Sequence, residues 1–390
     1  LSIEIISLGC RLNLAEAERM RGLLAGADDL VVINSCAVTA EAVRQTRQAI
    51  RRARRARPDA RLLVTGCAAE VERDAIAGMP EVDGLIANAA KLDARSWNVA
   101  ARAGPVQPLH SRGFVAVQNG CDHACTFCVI PQGRGPSRSL AVTEVLREVE
   151  RDLARGAAEI VLTGVDLTSW GRDLPEAPAL GVLVAAVLEA FPQLARLRLS
   201  SLDGVEIDGL LLELLAGEAR VMPHLHLSLQ HGHDLVLKRM KRRHSRADAV
   251  RLVQTLRARR PELALGADLI AGFPTEDDAM HAANLSIVEE LGIVHGHVFP
   301  YSPRPGTPAA RMPQVPAPVV KARAAELRRR VAQVREAWLE TLIGQELDVL
   351  AERDGTGHAG NFARVALPAD TAPGTLVRVV PQVIQEGLLR

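Results

Sequence analysis

The sequence predicts an α/β protein in three parts: an N-terminal parallel sheet, a central partial (β/α)6 barrel and a small C-terminal all-β barrel. Three observations predict it. Apolar runs alternate with helical stretches from Ile3 to Phe299. The first three runs end in a Cys-bearing turn. Beyond Gly344 the helical texture gives way to short alternating runs parted by Gly, Pro and Asp. At 390 residues the chain has room for such a division, since a domain takes about 100–200.

The first part repeats one pattern. Ile3 to Leu8 ends in Gly9-Cys10, with a helical stretch from Ala15. Leu30 to Ile33 ends in Asn34-Ser35-Cys36, with a helical stretch from Glu41. Leu62 to Thr65 ends in Gly66-Cys67, with a helical stretch from Ala69. Strand, turn, helix, strand reads as βαβ units in a parallel sheet. Right-handed crossovers point all the strands one way, so the three cysteines share the carboxyl edge, where open parallel sheets bind ligands. Taken singly, each cysteine reads equally as a small buried hydrophobe. Their recurrence at equivalent positions points to a ligand set.

Gly104-Pro105-Val106-Gln107-Pro108 reads as a linker over 104–112. From Gly113 the alternation resumes, with strands expected at Phe114–Val117, Glu159–Thr163, Arg196–Ser200, His224–Leu229, Leu263–Ile270 and Ile293–Phe299. Helical stretches such as Val142–Arg155 and Arg246–Arg259 separate them. Six βα units suit a partial barrel, whose site lies at the strand carboxyl ends. A helical connector, Ala317–Leu342, leads to runs at Glu346–Ala351, Asn361–Ala366, Thr375–Val380 and Val383–Leu388. These imply about five strands, closed into a barrel because a lone sheet that small exposes its edges. The domains are expected at 1–103, 113–336 and 337–390.

Composition excludes several classes. Apolar residues are 48% and charged residues 24%, which argues against wholesale disorder. The net charge of +1 makes no global commitment to nucleic acid or membrane. The longest uncharged apolar stretch, Ala177 to Leu188, falls short of the ~18 residues a membrane span needs. The opening LSIEIISLGC lacks a basic n-region and reads as a strand. Six cysteines without an export signal suggest a reducing compartment, and the cytoplasm is the expected location.

The other three cysteines cluster as Cys121-x3-Cys125-x2-Cys128 after the first barrel strand. Three thiolates on one short loop can ligate three irons of a cubane and leave the fourth iron open to chelate a small molecule. Zinc is an alternative; structural zinc wants four ligands, with His123 or a distant cysteine as the fourth. A disulfide is another.

With these motifs together, the chain resembles the radical S-adenosylmethionine methylthiotransferases. Cys-x3-Cys-x2-Cys resembles their radical motif. Gly9-Cys10 with Asn13, Asn34-Ser35-Cys36 with Val38-Thr39, and Gly66-Cys67 resemble their three-cysteine domain. QNGCDHACTFCVIPQGRG with Ser137-Arg138, LTGV, LSS, HLHLSLQ, LKRMKRRHSR, DLIAGFPTE and FPYSPRPGTPAARM follow the family segment by segment. The terminal β module stands where the family carries its TRAM domain.

The resemblance implies two [4Fe-4S] clusters and S-adenosylmethionine. Cys121, Cys125 and Cys128 would hold the S-adenosylmethionine cluster, and Cys10, Cys36 and Cys67 the auxiliary one that supplies or carries sulfur. It implies methyl transfer and hydrogen abstraction by a 5′-deoxyadenosyl radical, chemistry beyond acid–base groups. S-adenosylmethionine would contact Thr163 and Gly164 at its amino-acid end, Ser200 and Ser201 at the ribose, Gln230, and Asp268 to Gly272 on the adenine side. Phe127 is expected to pack on the ligand or shield the cluster. Gly164 and Gly272 also read as plain turn glycines, and Phe127 as a core aromatic.

Charge bears on the substrate. Arg44, Arg47, Arg51, Arg52, Arg54, Arg55 and Arg57 form one basic run, Lys238 to Arg246 a second and Arg328 to Arg330 a third. Only four of the 47 basic residues are Lys, and Arg takes phosphate with a bidentate fork. Solvated helix faces are the plain alternative. Aromatics are 3%, so a few phosphate contacts and one splayed-out base fit better than extensive stacking. The C-terminal module, with six acids and four Arg from Gln345, is acidic, unlike a simple RNA grip. The final motif and the short Cys10–Cys36 spacing resemble the branch acting on N6-threonylcarbamoyladenosine at the tRNA anticodon stem-loop. The isopentenyladenosine and ribosomal-protein aspartate branches are the alternatives. Arg134, Arg138, Tyr301 and Arg304 are candidates for meeting the modified base. A one-electron donor such as flavodoxin or ferredoxin is implied. From a different class, a non-catalytic, zinc-stabilised RNA-binding protein also accounts for the residues.

Overall fold

The computed structural model describes residues 3–98 and 111–390. Contacts divide it into two compact units. One holds residues up to 98 with 119–138 and 302–311; the other holds 111–118, 139–301 and 312–390. The expected linker at 104–112 lies, up to position 110, outside the described residues.

In the first unit β1 (Glu4–Ser7), β2 (Leu30–Ser35), β3 (Arg61–Gly66) and β4 (Gly84–Leu85) form a parallel sheet in sequence order. The first three strands are the expected ones; β4, two residues long, carries too little pattern to read. α1 (Arg11–Leu23), α2 (Ala40–Ala56), α3 (Cys67–Val71) and α4 (Arg73–Ala77) connect them. Every residue of β2 is buried, as a strand covered on both faces requires. Val31, Ile33 and Val64 pack with Val43 and Ile50 of α2, whereas Val32 and Leu63 pack with Met20 and Leu24. Thr39 caps α2, its side chain accepting from Ala42 N–H.

The second unit carries the barrel. β5 (Arg112–Ala116) starts at the last position assigned to the linker. The short strands β6 (Gln118–Asn119) and β7 (Arg138–Ser139) pair at the base of the cysteine loop, which contains α5 (Ile130–Arg134). α6 (Val142–Ala154), β8 (Glu159–Thr163), α7 (Leu180–Ala190), β9 (Arg196–Leu199), α8 (Gly209–Gly217) and β10 (His224–Gln230) follow. Then come α9 (Asp234–Arg239), α10 (Arg246–Arg259), β11 (Ala264–Ala271), α11 (Asp278–Glu290), β12 (Ile293–Pro300) and α12 (Ala317–Glu340). All six expected barrel strands are present. They form two parallel three-stranded sheets, β5-β8-β9 and β10-β11-β12, linked by isolated bridges at Leu197–Val221 and Leu202–Leu227. Leu162, Leu197, Leu225, Leu265 and Ile293 meet Val149, Leu183, Leu256, Ile287 and Leu327 in one core.

β13 (Leu347–Ala351), β14 (Thr356–Ala359), β15 (Arg364–Ala366), β16 (Leu376–Val379), β17 (Ile384–Gln385) and β18 (Leu388–Leu389) make one six-stranded sheet, where about five strands were expected. This module covers the amino ends of the first barrel strands. There Glu159, wholly buried, receives Arg112, Arg196 and Arg198 at 2.9–3.2 Å. Phe362 lies 4.8 Å from the Arg198 guanidinium and 5.3 Å from that of Arg112. The opposite strand ends are thereby left for chemistry.

Candidate active site

The three scattered cysteines stand at the carboxyl ends of β1, β2 and β3. Cys10 is the N-cap of α1, Cys36 follows β2, and Cys67 opens α3. Polar side chains tie these turns together. Asn13 Nδ2 donates to Leu8 O at 2.6 Å and to Ser35 O at 3.0 Å. Asn34 Nδ2 donates to Asn13 O at 2.9 Å. Ser35 Oγ donates to Thr65 O at 2.5 Å and accepts from Ala68 and Ala69 N–H at 3.1 and 3.3 Å, satisfying the first turn of α3. Burial pushes the Cys36 thiol up to about 11, and the nearby Cys10 and Cys67 thiols add to the rise. Three thiols at neighbouring strand ends offer sulfur donors along one edge of the sheet.

A buried charge cluster adjoins them. Lys91 Nζ donates to Glu16 Oε2 at 2.5 Å and to Asn34 Oδ1 at 3.3 Å. Arg134, from the cysteine loop, gives Glu16 a two-pronged pair at 2.9 and 3.1 Å and also donates to Asn119 and Asn13. Two cations thus face one carboxylate, all three side chains buried. Burial pushes the Cys67 thiol up, and both cations act against that rise. Excess positive charge out of water calls for an anion. A cluster bound by three thiolates supplies one, so the residues present fit the group.

The loop carrying Cys121, Cys125 and Cys128 belongs to the same compact unit. Its closure depends on Gly120, at φ +77, where a Cβ would fall 1.9 Å from Pro136 O. Cys121 N–H donates to Gly135 O at 3.1 Å and Cys128 N–H to Cys125 O at 3.2 Å. His123 N–H points at Cys121 Sγ (3.5 Å) and Ile130 N–H at Cys128 Sγ (3.4 Å). Such donors stabilise thiolate and set cluster potential. α5 brings this loop against α3. Asn88 Nδ2 donates to Gly133 O at 2.5 Å and lies 3.9 Å from Cys67 Sγ, and a Cβ at Gly133 would meet Cys67 Cβ at 3.1 Å. Phe127, half-buried, stands between Cys125 and Cys128.

In the barrel unit Thr163, Gly164, Ser200, Ser201, Gln230 and Gly272 stand at or just past strand ends, whereas Asp268 lies inside β11. Thr163 is buried and its carbonyl accepts from Val117 N–H. Gly164 packs against Gln118, whose Oε1 a Cβ would approach to 2.9 Å. Ser200 is 7% exposed, and its Oγ has no partner among the described residues, which fits a polar ligand group. Ser201 beside it is half-buried, as is Gln230, at φ +69. Asp268 Oδ1 already holds His226 Nε2 at 3.1 Å and His297 Nδ1 at 3.2 Å; these imidazoles keep its carboxyl below the usual range despite burial. Gly272, at φ +73, accommodates Val320 of α12, 2.6 Å from where a Cβ would stand.

The candidates for the modified base separate. Arg134 and Arg304 are 5% and 3% exposed, and both guanidiniums are already engaged by carboxylates, those of Glu16 and Glu72. Arg138 is exposed, and Tyr301 is half-buried with its ring edge-on to Phe273. Glu16, Lys91 and Asn88 had no sequence signal beyond ordinary polar residues, since only the fold brings them to the cysteines.

The Radical SAM superfamily model matches residues 115–285, and that of an uncharacterized protein family, UPF0004, matches 2–87. The threonylcarbamoyladenosine tRNA methylthiotransferase MtaB of Rickettsia prowazekii is 42% identical to this chain, over 99% of it and 96% of the relative. The chain belongs to the radical SAM methylthiotransferases. A tRNA-2-methylthio-N(6)-dimethylallyladenosine synthase of Paracoccus denitrificans is 33% identical over 96% of this methylthiotransferase and 93% of its own length. Among solved structures, the radical S-adenosylmethionine methyltransferase TsrM of Kitasatospora setae shares the fold, at TM-score 0.54 and 18% identity, over 74% of this chain and 65% of the other. The methylthiotransferase works with S-adenosylmethionine and two [4Fe-4S] clusters. No helix among its described residues is long and apolar enough to cross a membrane.

Proposed function

We propose that this methylthiotransferase adds a methylthio group to C2 of N6-threonylcarbamoyladenosine beside the tRNA anticodon. The observation that carries the reading is near-full-length identity of 42% to a relative named for that reaction. Two cysteine trios in one compact unit support it. Cys121, Cys125 and Cys128 hold the cluster that chelates S-adenosylmethionine; Cys10, Cys36 and Cys67 hold the auxiliary cluster. Thr163, Gly164, Ser200, Ser201, Gln230, Asp268, Gly272 and Phe127 are the residues assigned to S-adenosylmethionine. Along the chain the three-cysteine domain takes 1–103, the linker 104–112, the radical core 113–336 and the TRAM-like module 337–390. The electron donor is a flavodoxin or ferredoxin, and the reaction takes place in the cytoplasm.

Cluster and S-adenosylmethionine together supply the one-electron chemistry that an aromatic C–H demands and that side chains lack. The chain's own residues do the rest. Asn13, Asn34 and Ser35 tie together the three turns that carry Cys10, Cys36 and Cys67. Lys91 and Arg134 offset thiolate charge beside Cys67. The N–H groups of His123 and Ile130 orient two sulfurs of the loop. Ser200 offers its hydroxyl at the mouth of the barrel. Nucleoside mass spectrometry of tRNA from a deletion strain tests the reading. Loss of the 2-methylthio form, with accumulation of N6-threonylcarbamoyladenosine, is expected. Accumulation of isopentenyladenosine would place the enzyme in the sister branch.

A further inference from the structure

The first basic run does not act as one surface. Arg54 is engaged by backbone carbonyls of Pro58, Ala60 and Glu81 and by Asp83, and Arg57 by Asp29. The arginines of the second run are engaged in the same way. Arg242 and Arg243 hold Asp203, and Arg246 holds Gly232 O, Ala283 O and Glu290. One stretch of α2 stands apart. Arg44, Arg47 and Arg51 recur at i, i+3 and i+7, which is one helix face. With Ala40, Val43, Gln48, Glu72 and Arg304 they line a groove of about 320 Å³.

The groove holds four guanidiniums and one carboxylate. Glu72 bridges two of them, at 2.6 Å to Arg47 and 3.1 Å to Arg304. Arg304 is buried, its Nε without a partner among the described residues. Arg44 pairs with Glu41 on the open helix surface, and Arg51 lies 3.8 Å from Glu81. Exposed pairs of that kind are worth little and exchange readily for another anion. From Arg44 to Arg51 the helix rises about 10 Å, a length that follows a short run of strand rather than a single ion. Among the described residues no aromatic ring lines the groove, which offers charge and forked donors.

We propose that this groove grips the phosphodiester backbone of the RNA substrate, with Arg44, Arg47 and Arg51 as the phosphate contacts. Arg304, held by Glu72, acts as a fixed positive floor. The inference rests on the tRNA reading above and assigns its backbone contacts to the three-cysteine unit. It also accounts for a C-terminal module that is acidic in composition. Glu72 spaces two guanidiniums that would otherwise repel, and it limits affinity so that the product can leave.

The test is binding of a synthetic anticodon stem-loop RNA to the full-length protein, followed by fluorescence anisotropy over a KCl series. Each phosphate contact adds about one unit to the slope of log K against log salt. R47Q/R51Q is expected to flatten the slope by about two units. R52Q/R55Q removes equal charge from exposed positions of α2 outside the groove and is expected to keep the wild-type slope. E72Q, which removes the one acid lining the groove among the described residues, is expected to bind more tightly. A wild-type slope in R47Q/R51Q, equal flattening by both double variants, or weaker binding by E72Q would overturn the groove. Methylthiolation of tRNA by the wild type alongside such a result would leave the function intact. Changed slopes without any tRNA methylthiolation would keep the groove and sink the function.

Discussion

Glu16 of α1 and Arg134 of the cysteine loop form a buried two-pronged ion pair, with neither side chain more than 2% exposed. The pair is not isolated, because Lys91 holds the same carboxylate. The two cations are therefore not equivalent to the acid. Glu16→Gln leaves both without a counter-charge and is expected to cost about 3–5 kcal/mol of stability. Arg134→Gln leaves a neutral Glu16–Lys91 pair and costs less in the cluster-free protein. With clusters bound the order of harm changes: losing Arg134 removes positive charge beside Cys67, so the auxiliary cluster becomes harder to reduce. Urea unfolding of the cluster-free variants and an EPR-monitored redox titration of the reconstituted ones check the two halves separately.

Ser35 contributes through one oxygen. Its Oγ receives two N–H groups of α3 and donates to Thr65 O. Ser35→Ala leaves those buried backbone groups unmatched and is expected to cost about 1–3 kcal/mol. The damage should be local. Iron bound by the N-terminal trio should fall, while cleavage of S-adenosylmethionine by the loop cluster persists. Iron counts beside 5′-deoxyadenosine release measure both.

Stability should fall in acid in two steps of the same sign. Burial holds His295 down to about 3, below its unfolded value of about 6.5. The unfolded chain therefore binds the extra proton, and stability declines as pH drops from about 6.5 towards 3. Glu159 is held down to about 2 by Arg198, Arg196 and Arg112 despite its burial, against about 4.3 unfolded. Its contribution is complete above about 4.3 and is lost as pH falls through 2. His295→Gln should flatten the upper part of the profile and Glu159→Gln the lower part, at a lower overall stability. Melting temperature measured from pH 7 to pH 3 reads the upper step; urea unfolding at still lower pH reads the other.

Periodicity made the framework legible. Runs such as Leu30–Ile33 and Glu159–Thr163 became fully buried parallel strands, and Cys36, which follows the first of them, stayed at its strand end. Features that need distant partners were not legible. Arg134 read as a residue for the substrate because sequence shows its charge and not Glu16, 118 positions away. The Arg44–Arg57 run read as one patch, yet the fold turns Arg54 and Arg57 onto carbonyls and acids and leaves three others along a groove. Glu159, first residue of a strand, gave no hint that three arginines and Phe362 would close over it.

The two trios should fail in different ways. Cys125→Ala removes one of three loop thiols, so the iron count of the anaerobically reconstituted protein should drop from about eight to about four. Reductive cleavage of S-adenosylmethionine should vanish with it. Cys36→Ala should lose the same amount of iron from the other trio, because Cys36 follows β2, the strand between those that precede Cys10 and Cys67. It should still release 5′-deoxyadenosine under dithionite, while tRNA gains no methylthio group. Two sites of equal iron content are then distinguished by which product disappears. If Cys36→Ala lost deoxyadenosine formation as completely as Cys125→Ala, while each variant still folded with its remaining cluster, the division of labour between the trios would be wrong. If wild-type protein instead took up zinc alone and released no deoxyadenosine, neither trio would hold the iron assigned to it.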